Sequence, residues 1–568
     1  MKKLIFLLIL VLLAAAGLIY YKKWRSNFLH KKLPELVFLK SDSLYRITYD
    51  SVDIDEVEGE IVIRNLQLYP DSTYKKPTDS TLPRNLLRVT VPEIYISGVQ
   101  TDEAVLNKEV IASKIKLTHP VVTMFNNQRV EKNKTNDPTP TAFKIYEILL
   151  RGLEKIQVDT ILITNADYHI CKWPNGDTVF SGSKINALLQ QINISDSTST
   201  DTSRVLFAKK ASLDVADVVI HSKKHPYNYR FKNIQLLSGE RSFAVKSMHI
   251  TPLLGEAAFV HNAQWQTDRL DFDFYNLLFK QVNVQEILNG NLIANELTIK
   301  NAQFKVFRDK NYPMKKESLV GRYPQQSFLN IPVNVAIKKI IIQQGYIQYK
   351  EKESLTGNSG VVIFDDVHAT LHNVTNNPAD LHKNGVCTVN FNSKFLHQIP
   401  LSATLQLYLN NKNGRFSVNG NMGSLDATIL NPLSKPMALV EVNSGTVTSL
   451  DFNLTGNDNR IKGIVRLLYN DLTIKILKKD EESDEYKKKK VMSLMANIMV
   501  INANPQKNKP VRIVTVSHPR DVYRSIFNFI WKSIFEGVQK AVGIDGKLGG
   551  PLPASPGGGG VRQPRDNT

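Results

Sequence analysis

The stretch LSATLQLYL at residues 401–409 alternates apolar and polar side chains without interruption. In a β-strand successive side chains point to opposite faces, so this stretch predicts a strand with one apolar and one polar face. The same alternation recurs at residues 114–118, 270–274 and 449–454, and clusters of Asn, Gly and Asp separate the alternating segments. Such strands are typical of antiparallel sheets that bury one face. The sequence therefore predicts a mainly β protein.

The composition is that of a folded protein with an excess of positive charge. The chain has 568 residues, 42% of them hydrophobic, and its 72 basic and 53 acidic residues give a net charge of +19. These values exclude a disordered chain, a collagen-like chain and a polytopic membrane protein. The two cysteines, Cys171 and Cys387, are too far apart for a CxxC or zinc motif, and they leave the redox compartment open.

The N-terminus carries an uncharged apolar run at residues 4–21, between two lysines and three further basic residues. The run is just long enough to cross a hydrocarbon core of about 30 Å. We favour an uncleaved anchor over residues 1–25, because the run continues past three alanines and ends in two tyrosines suited to a membrane interface. A signal peptide cleaved at those alanines is the alternative. The positive-inside rule would leave the body in the cytoplasm, whereas the short Lys-Lys start favours export, which we expect.

Two segments have helical rather than strand periodicity. The first covers residues 142–153, and the second covers residues 520–543. The candidate apolar and aromatic residues of the second helix are Ile526, Phe527, Ile530, Trp531, Ile534 and Phe535. This amphipathic helix fits two structures that the sequence leaves open: a helix lying in a membrane interface, or a plug over the open end of a sheet.

The body of the chain contains an internal repeat. IASKIKLTHPVVTMF from residue 111 resembles IANELTIKNAQFKVF from residue 293, an offset of 182, and IQVDTILITNADYHI from residue 156 resembles VAIKKIIIQQGYIQY from residue 335, an offset of 179. A short helical stretch precedes each copy, at residues 102–106 and 284–288. The sequence thus predicts the following segments: two β-groove halves at 26–225 and 226–383, a C-terminal β segment at 384–480, a Lys-rich insert with the last strands at 481–519, the helix at 520–543, and a disordered Gly/Pro-rich tail at 544–568.

No catalytic constellation stands out. His368 and His372 share a strand face, but spacing suggests no third ligand, so we predict a solvated face rather than a metal site. The sequence has no phosphate-binding glycine loop, nucleophile elbow or HExxH motif. Its basic residues are spread along the strands, which argues against nucleic acid, and the run Lys487–Lys490 is either a solvated loop or a contact for anionic lipid headgroups. We predict no enzymatic activity, catalytic residue, metal or cofactor.

Three segments together resemble the AsmA-like family, which comprises envelope proteins of bacteria with two membranes. The first is VTVPEIYISGVQTDEAVLNKEVIASKIKLTHPVVTMF from Val89, and the second is its repeat at residues 270–307. The third is LNPLSKPMALVEVNSGTVTSLDFNLTGNDNRIKGIVRLLYNDLTIKI from Leu430. With the N-terminal anchor, the likeness covers most of residues 1–480. The Lys-rich insert has no counterpart in the family pattern.

The resemblance implies a single-pass inner-membrane protein with its body in the periplasm. It implies an elongated, curled antiparallel β-sheet whose apolar groove shelters phospholipids or other acyl lipids on their way between the inner and outer membranes, in support of envelope integrity. It leaves room for an outer-membrane or periplasmic protein partner. The alternation predicts the residues that line such a groove: Ile115, Leu117, Leu270, Phe272, Phe274, Leu297, Ile299, Leu405, Leu407, Leu409, Phe452 and Leu454. An envelope scaffold that assists assembly of outer-membrane components without carrying lipid is the alternative function.

Overall fold

The structure is a computed structural model of the whole chain. It describes residues 33–41, 43–71, 85–100, 109–126, 154–173, 176–198, 201–222, 226–354, 357–479, 492–494 and 500–544. Five predicted features lie wholly or almost wholly outside these residues: the anchor at 1–25, the helical stretch at 102–106, the helix at 142–153, the Lys487–Lys490 run and the tail at 544–568, of which only Ile544 is described. They stay predictions.

The described residues are mainly β, as the alternation predicts. The strands up to the middle of the chain are β1 (Tyr45–Thr48), β2 (Ser51–Asp55), β3 (Glu60–Pro70), β4 (Asn85–Ser97), β5 (Glu109–Thr118), β6 (Val121–Asn126), β7 (Lys155–Lys172), β8 (Thr178–Ile194), β9 (Ala208–His221), β10 (Tyr227–Leu237), β11 (Ser242–Pro252) and β12 (Arg269–Lys280). The later strands are β13 (Leu292–Asp309), β14 (Val335–Lys352), β15 (Ser359–Thr375), β16 (Val386–Phe395), β17 (Ile399–Tyr408), β18 (Phe416–Met422), β19 (Leu425–Asp426), β20 (Val440–Gly456), β21 (Arg460–Lys479), β22 (Met492–Leu494) and β23 (Val514–Pro519).

Short helices connect these strands. They are α1 (Leu33–Lys40), α2 (Glu256–Ala263), α3 (Val284–Leu288), α4 (Pro324–Leu329), α5 (Pro378–Lys383), α6 (Asn431–Ala438) and α7 (Ile526–Ala541). Helix α3 coincides with the helical stretch predicted before the second repeat. Helix α7 lies inside the predicted 520–543 segment and begins later, because Ser525 caps it by accepting a hydrogen bond from the Asn528 backbone N–H. No helix among the described residues is both long enough and apolar enough to cross a bilayer.

The chain divides into two compact units, and the division falls within β12, β13 and β14. Unit 1 comprises Met1–Leu253, Asp273–Lys300 and Val333–Ile337. Unit 2 comprises Leu254–Phe272, Asn301–Pro332 and Lys338–Thr568. Each unit therefore combines segments that are distant in sequence. The predicted boundaries of the two groove halves stay a prediction.

The sheet of unit 1 is mixed, which corrects the prediction of a purely antiparallel sheet. β3 pairs with β4, β4 with both β5 and β6, and β7 with β8 in antiparallel fashion. β7, however, runs parallel to β5 and β6. Parallel neighbours need a long crossover between them, and residues 127–154 separate β6 from β7. Alternation alone does not report strand direction, so the sequence did not show this pair.

The core of unit 1 is a ladder of branched aliphatic side chains. Ile115 lies opposite Ile96 on β4 and Ile161 on β7, and Leu117 lies opposite Ile94 and Ile163 in the next row. All six side chains are buried, and they belong to one continuous cluster. β-Branched residues fill such rows well because their stiff side chains pack against neighbours on the pleated surface.

Unit 2 contains a run of antiparallel strands, with register shifts between β15 and β16 and between β20 and β21. β15 pairs with β16, β16 with β17, β17 with β18, β18 with β20, β20 with β21, and β21 with β23. The turn between β17 and β18 ends at Gly414, which has a φ of +64° and so suits a residue without a side chain. The apolar face of β18, β20, β21 and β23 forms a second buried cluster.

Helix α7 covers part of this buried cluster. Its inner face is buried, and Phe529 meets the ring of Phe416 on β18 at 6.5 Å. At Gly537 the helix comes so close to β21 that an added Cβ atom would lie 2.5 Å from Val465. The side chain of Arg520, just before the helix, is buried against Asp458 at 2.5 Å and stacks over the Tyr323 ring at 3.9 Å. α7 therefore packs on the apolar face of β18, β21 and β23, and the two structures predicted for this helix both stay predictions.

Backbone geometry confirms the internal repeat. Four residues with left-handed φ in the first copy recur in the second copy at the offsets found in the sequence. The pairs are His119 and Asn301 (offset 182), Asn165 and Gln344 (offset 179), Lys184 and Asp366 (offset 182), and Gln191 and Asn373 (offset 182). Non-glycine residues rarely adopt this conformation, so four coincidences at nearly one spacing indicate a true structural duplication.

The second copy also reproduces the parallel pair. The backbone N–H of Leu292 donates to the carbonyl of Asn334, and that of Lys310 donates to the carbonyl of Lys352. Both bonds span 42 residues (334 − 292 and 352 − 310), and a constant spacing is the signature of parallel strands. β13 and β14 thus correspond to the β5–β6 segment and β7 of the first copy.

Candidate functional site

The predicted groove residues fall into two sets that differ in burial. Seven are packed inside the protein, and five keep part of their side chains in contact with solvent. The buried seven are Ile115, Leu117, Leu297, Ile299, Leu409, Phe452 and Leu454. The half-buried five are Leu270, Phe272, Phe274, Leu405 and Leu407. Only the second set presents apolar surface that a guest molecule can reach without displacing the protein's own side chains.

Two of the half-buried residues, Leu405 and Leu407, belong to a wider apolar strip. On β15–β17 this strip, which we call the β15–β17 strip, consists of Val362, Phe364, Phe391, Leu401, Leu405 and Leu407, all half-buried. The rings of Phe364 and Phe391 contact edge to face at 6.0 Å. Leu407 lies opposite Phe416, whose ring meets Phe529 of α7, so the strip extends up to the helix.

A second half-buried apolar group lies on β12 and β13. The rings of Phe272 and Phe304 contact edge to face at 5.2 Å. Leu270 is on the same face of β12 as Phe272, two residues away. We call these three residues the β12–β13 group. All three side chains keep part of their apolar surface in contact with solvent.

A cluster of charged side chains lies beside the β12–β13 group. Arg308, four residues beyond Phe304 on β13, donates two hydrogen bonds of 2.7 Å to Asp268. Lys310 forms ion pairs of 2.6 Å with both Glu351, on β14, and Glu353, just after the end of β14. Apolar side chains thus adjoin fixed charges, which is the pattern that an amphiphilic ligand requires.

The two glutamates of this cluster have opposite pKa shifts. Burial acts to raise the pKa of both carboxyl groups. For Glu351 the charge of Lys310 and the hydrogen bonds that it receives from Lys310 and Tyr349 more than offset burial, so its pKa is lowered. For Glu353 burial prevails and its pKa is raised. Burial also raises the pKa of Tyr349, whose hydroxyl donates to Glu351 at 2.6 Å.

Helix α7 brings one further cation to the cluster. Lys532 is partly buried, its electrostatic neighbours include Lys310 and Glu351, and within the described part of the chain it makes no ion pair. Burial lowers the pKa of its ammonium group. Arg524, just before the helix, donates to Gln266 at 3.3 Å, close to the start of β12. The helix therefore extends from β21 and β23 to the charged cluster.

The opposite face of the same sheet is polar and carries ion pairs such as that of Arg466 with Asp451. A depression of about 470 Å³ lies on this face, lined by the side chains of Asn390, Asn392, Ser402, Thr404, Asn419, Asn421 and Asp451. His368 and His372 lie on the same face, opposite Asn392 and Thr388. His368 contacts Asp366 at 3.0 Å. No group of three His, Cys, Asp or Glu side chains suited to a metal ion occurs among the described residues.

The sequence prediction missed several residues of the apolar surface. Phe304 and Phe391 alternate with polar neighbours in their strands, so the pattern could have revealed them. Phe364 was harder to find, because the left-handed residue Asp366 shifts the register between β15 and β16 and moves the following side chains to the other face. The charged cluster gives no sequence signal, because its members come from distant segments.

The predicted residues of the C-terminal helix divide between two faces of α7. Ile526 and Ile534 are buried, and Ile530 packs against the buried cluster of unit 2. Phe527 and Trp531 are exposed, and Phe535 stacks on Trp531 with 6.5 Å between ring centroids. The helix is therefore apolar on more than the face that it buries.

Comparison with known proteins does not identify a family. No protein-family model matches this chain, and no curated protein matches it significantly in sequence. The resemblance to AsmA-like proteins stays a prediction that rests on the quoted segments.

Proposed function

We propose that this chain is a membrane-anchored, AsmA-like envelope protein that shelters lipid acyl chains and passes them between the inner and outer membranes, with its body in the periplasm. The observation that carries the proposal is the half-buried apolar surface of unit 2, formed by the β15–β17 strip and the β12–β13 group. The strip residues rest on the buried cluster of unit 2 and keep only part of their side chains in contact with solvent, and the proposal is that an acyl chain covers that remaining part.

The chemistry of the site favours an acyl lipid over a wholly apolar ligand. Each methylene that leaves water contributes about 0.8 kcal/mol, so a lipid tail of ordinary length gains several kcal/mol on the strip. The charged cluster at Arg308, Lys310 and Lys532 lies beside the β12–β13 group and can receive a polar headgroup. Binding and transfer of this kind need no bond to be made or broken.

The alternative function is an envelope scaffold without lipid carriage. The sealed aliphatic ladder of unit 1 favours it, because Ile115, Leu117 and their neighbours leave no space for a tail. The two functions predict different occupants of the half-buried surface of unit 2, a lipid in one case and a protein or solvent in the other.

Lipid capture by the full-length protein distinguishes the two functions. We expect lipid to co-purify with the wild-type protein and to be identified by mass spectrometry. Leu407→Asp combined with Phe272→Asp should abolish capture, since a carboxylate at either position is incompatible with a hydrocarbon tail. Gln406→Asp is the matched control, because residue 406 is on the polar face of the same strand. Equal capture by folded variants would contradict lipid binding at this surface.

A further inference from the structure

The outer face of α7 carries a row of exposed aromatic side chains. Phe527 is 65% exposed and Trp531, one turn later, is 43% exposed. Tyr523, in the turn that precedes α7, is 37% exposed. The buried face of the same helix already contacts β21 and β23, so these aromatic residues are not needed for its packing on the sheet.

A neighbouring loop extends this aromatic row. The backbone N–H of Leu319 donates to the carbonyl of Val522 at 2.7 Å, and Arg520 donates to the carbonyl of Leu319 at 2.8 Å. These bonds hold the next residue, Val320, beside the start of the row, and Val320 is 46% exposed. We call Val320, Tyr523, Phe527 and Trp531 the α7 aromatic face.

Basic side chains surround the α7 aromatic face. Lys315 and Arg322 flank Val320 and share one acid, Glu317, at 2.6 and 2.7 Å. Arg524 lies between Tyr523 and Phe527, and Lys532 follows Trp531. Counting Glu351, an electrostatic neighbour of Lys532, these four cations stand against the three acids Glu317, Asp521 and Glu351, which leaves a small positive excess around the face. Aromatic rings at the centre with cations at the edge are typical of surfaces that lie in the headgroup region of a bilayer.

Two other occupants are less suited to this surface. The residues after α7, numbers 545–568, contain only Leu548, Leu552 and Val561 as large apolar side chains, too few to cover the row. A protein partner would have to offer a groove of its own that receives the convex outer side of the helix. A membrane surface needs no such groove, and its anionic lipids match the positive edge.

We propose that the α7 aromatic face docks on a bilayer that contains anionic lipids. This inference extends the proposed function, since it assigns the surface that brings the lipid-binding region of unit 2 to a membrane. The face lies in the interface and does not span the membrane. Docking positions the end of the β15–β17 strip, at Leu407, near the lipid source or acceptor.

A fluorescent label at residue 527 tests the proposal. Phe527→Cys can be labelled selectively with an environment-sensitive dye, because Cys171 and Cys387 are buried and burial raises the pKa of Cys387 to about 11. The labelled full-length protein is reconstituted in vesicles of phosphatidylcholine with a minority of phosphatidylglycerol. We expect the dye emission to shift to shorter wavelength and to be quenched by brominated lipid. Val57→Cys, at a site that is 92% exposed in unit 1, is the control label and should show neither effect.

Two further variants, each labelled at residue 527, test whether docking depends on the exposed side chains of the α7 aromatic face. Trp531→Ser should remove most of the quenching at residue 527, whereas Ile513→Ser, which removes another exposed apolar side chain of unit 2, should leave it unchanged. Quenching at residue 527 no greater than at residue 57 would overturn the proposal. So would protection of the dye without quenching by brominated lipid, which would indicate a protein partner.

The result also separates this inference from the proposed function. Docking together with absence of captured lipid would support the α7 aromatic face as a membrane-binding surface and would remove the lipid-carrying role. Captured lipid without quenching at residue 527 would retain the lipid-carrying role and overturn the docking surface.

Discussion

Lys532 is a partly buried cation for which the described residues provide no ion-pair partner. Its pKa is lowered by burial, which means that the folded state binds its proton less tightly than the unfolded state, where lysine has a pKa of about 10.4. At pH values below both pKa values the lysine is charged in both states, and its burial destabilises the folded state. The penalty diminishes as the pH rises through the folded-state pKa toward the unfolded one.

We therefore predict that Lys532→Met raises the melting temperature at neutral pH. The gain in stability should be less than about 1 kcal/mol, because the side chain is only partly buried and water screens it. The gain should shrink when thermal unfolding is measured near pH 10, and Lys540→Met, which removes a lysine paired with Glu536, should give no gain at either pH. A loss of stability in Lys532→Met at neutral pH would show that Lys532 makes a stabilising contact.

Leu117 and Leu407 show which property of a side chain the alternating pattern predicts and which it does not. Both alternate with polar neighbours, and both face the apolar side of their strands, as the pattern predicts. Leu117 is sealed within a ladder of isoleucines, whereas Leu407 keeps contact with solvent. Alternation gives the face of a side chain, but its burial depends on what the rest of the chain places above that face.

Among the structural elements, α7 shows which features of a helix the sequence predicts. Its helical spacing and the burial of Ile526 and Ile534 follow from the sequence. Which apolar face meets the sheet does not follow, since the helix has apolar residues on more than one side. The close approach at Gly537 determines which face of α7 packs on the sheet, because only a residue without a side chain lets the helix come this near to Val465 on β21.

The close contact at Gly537 leads to a prediction for α7. Gly537→Ala should destabilise the protein by about 1–3 kcal/mol through overpacking, although alanine is the better helix former. Hydrogen exchange should show faster exchange of the α7 amides in this variant. Gly239→Ala is the matched control, since an added methyl group there would meet no atom within 4 Å. Unchanged exchange in α7 would show that the helix does not depend on this contact.

The parallel strand pairs are elements that the sequence could not show directly. β7 and β14 alternate like the antiparallel strands, and only the pairing partner distinguishes them. The repeat offsets contained an indirect signal. If one copy has a crossover followed by a parallel strand, then the second copy must have one too, and the hydrogen bonds from Leu292 and Lys310 agree with this.

For the molecule as a whole, the sequence predicts the mainly β class and the duplication, and the structure bears out both. It does not predict which apolar surfaces remain accessible. In unit 1 the apolar face is sealed by rows of isoleucine and leucine, whereas in unit 2 the β15–β17 strip stays half-buried. This difference arises from long-range packing, to which segments far apart in the sequence contribute, so no local pattern reports it.

Photocrosslinking in living cells is the most direct test of lipid on the half-buried surface of unit 2. A photoreactive amino acid is placed in the full-length protein at residue 407 on the β15–β17 strip, at residue 406 on the polar face, and at residue 117 in the sealed ladder of unit 1. Irradiation followed by mass spectrometry then detects attached lipid. We predict lipid adducts at residue 407 and none at residues 406 and 117. Absence of adducts at residue 407, or equal adducts at residues 407 and 406, would contradict a lipid-binding surface on this sheet.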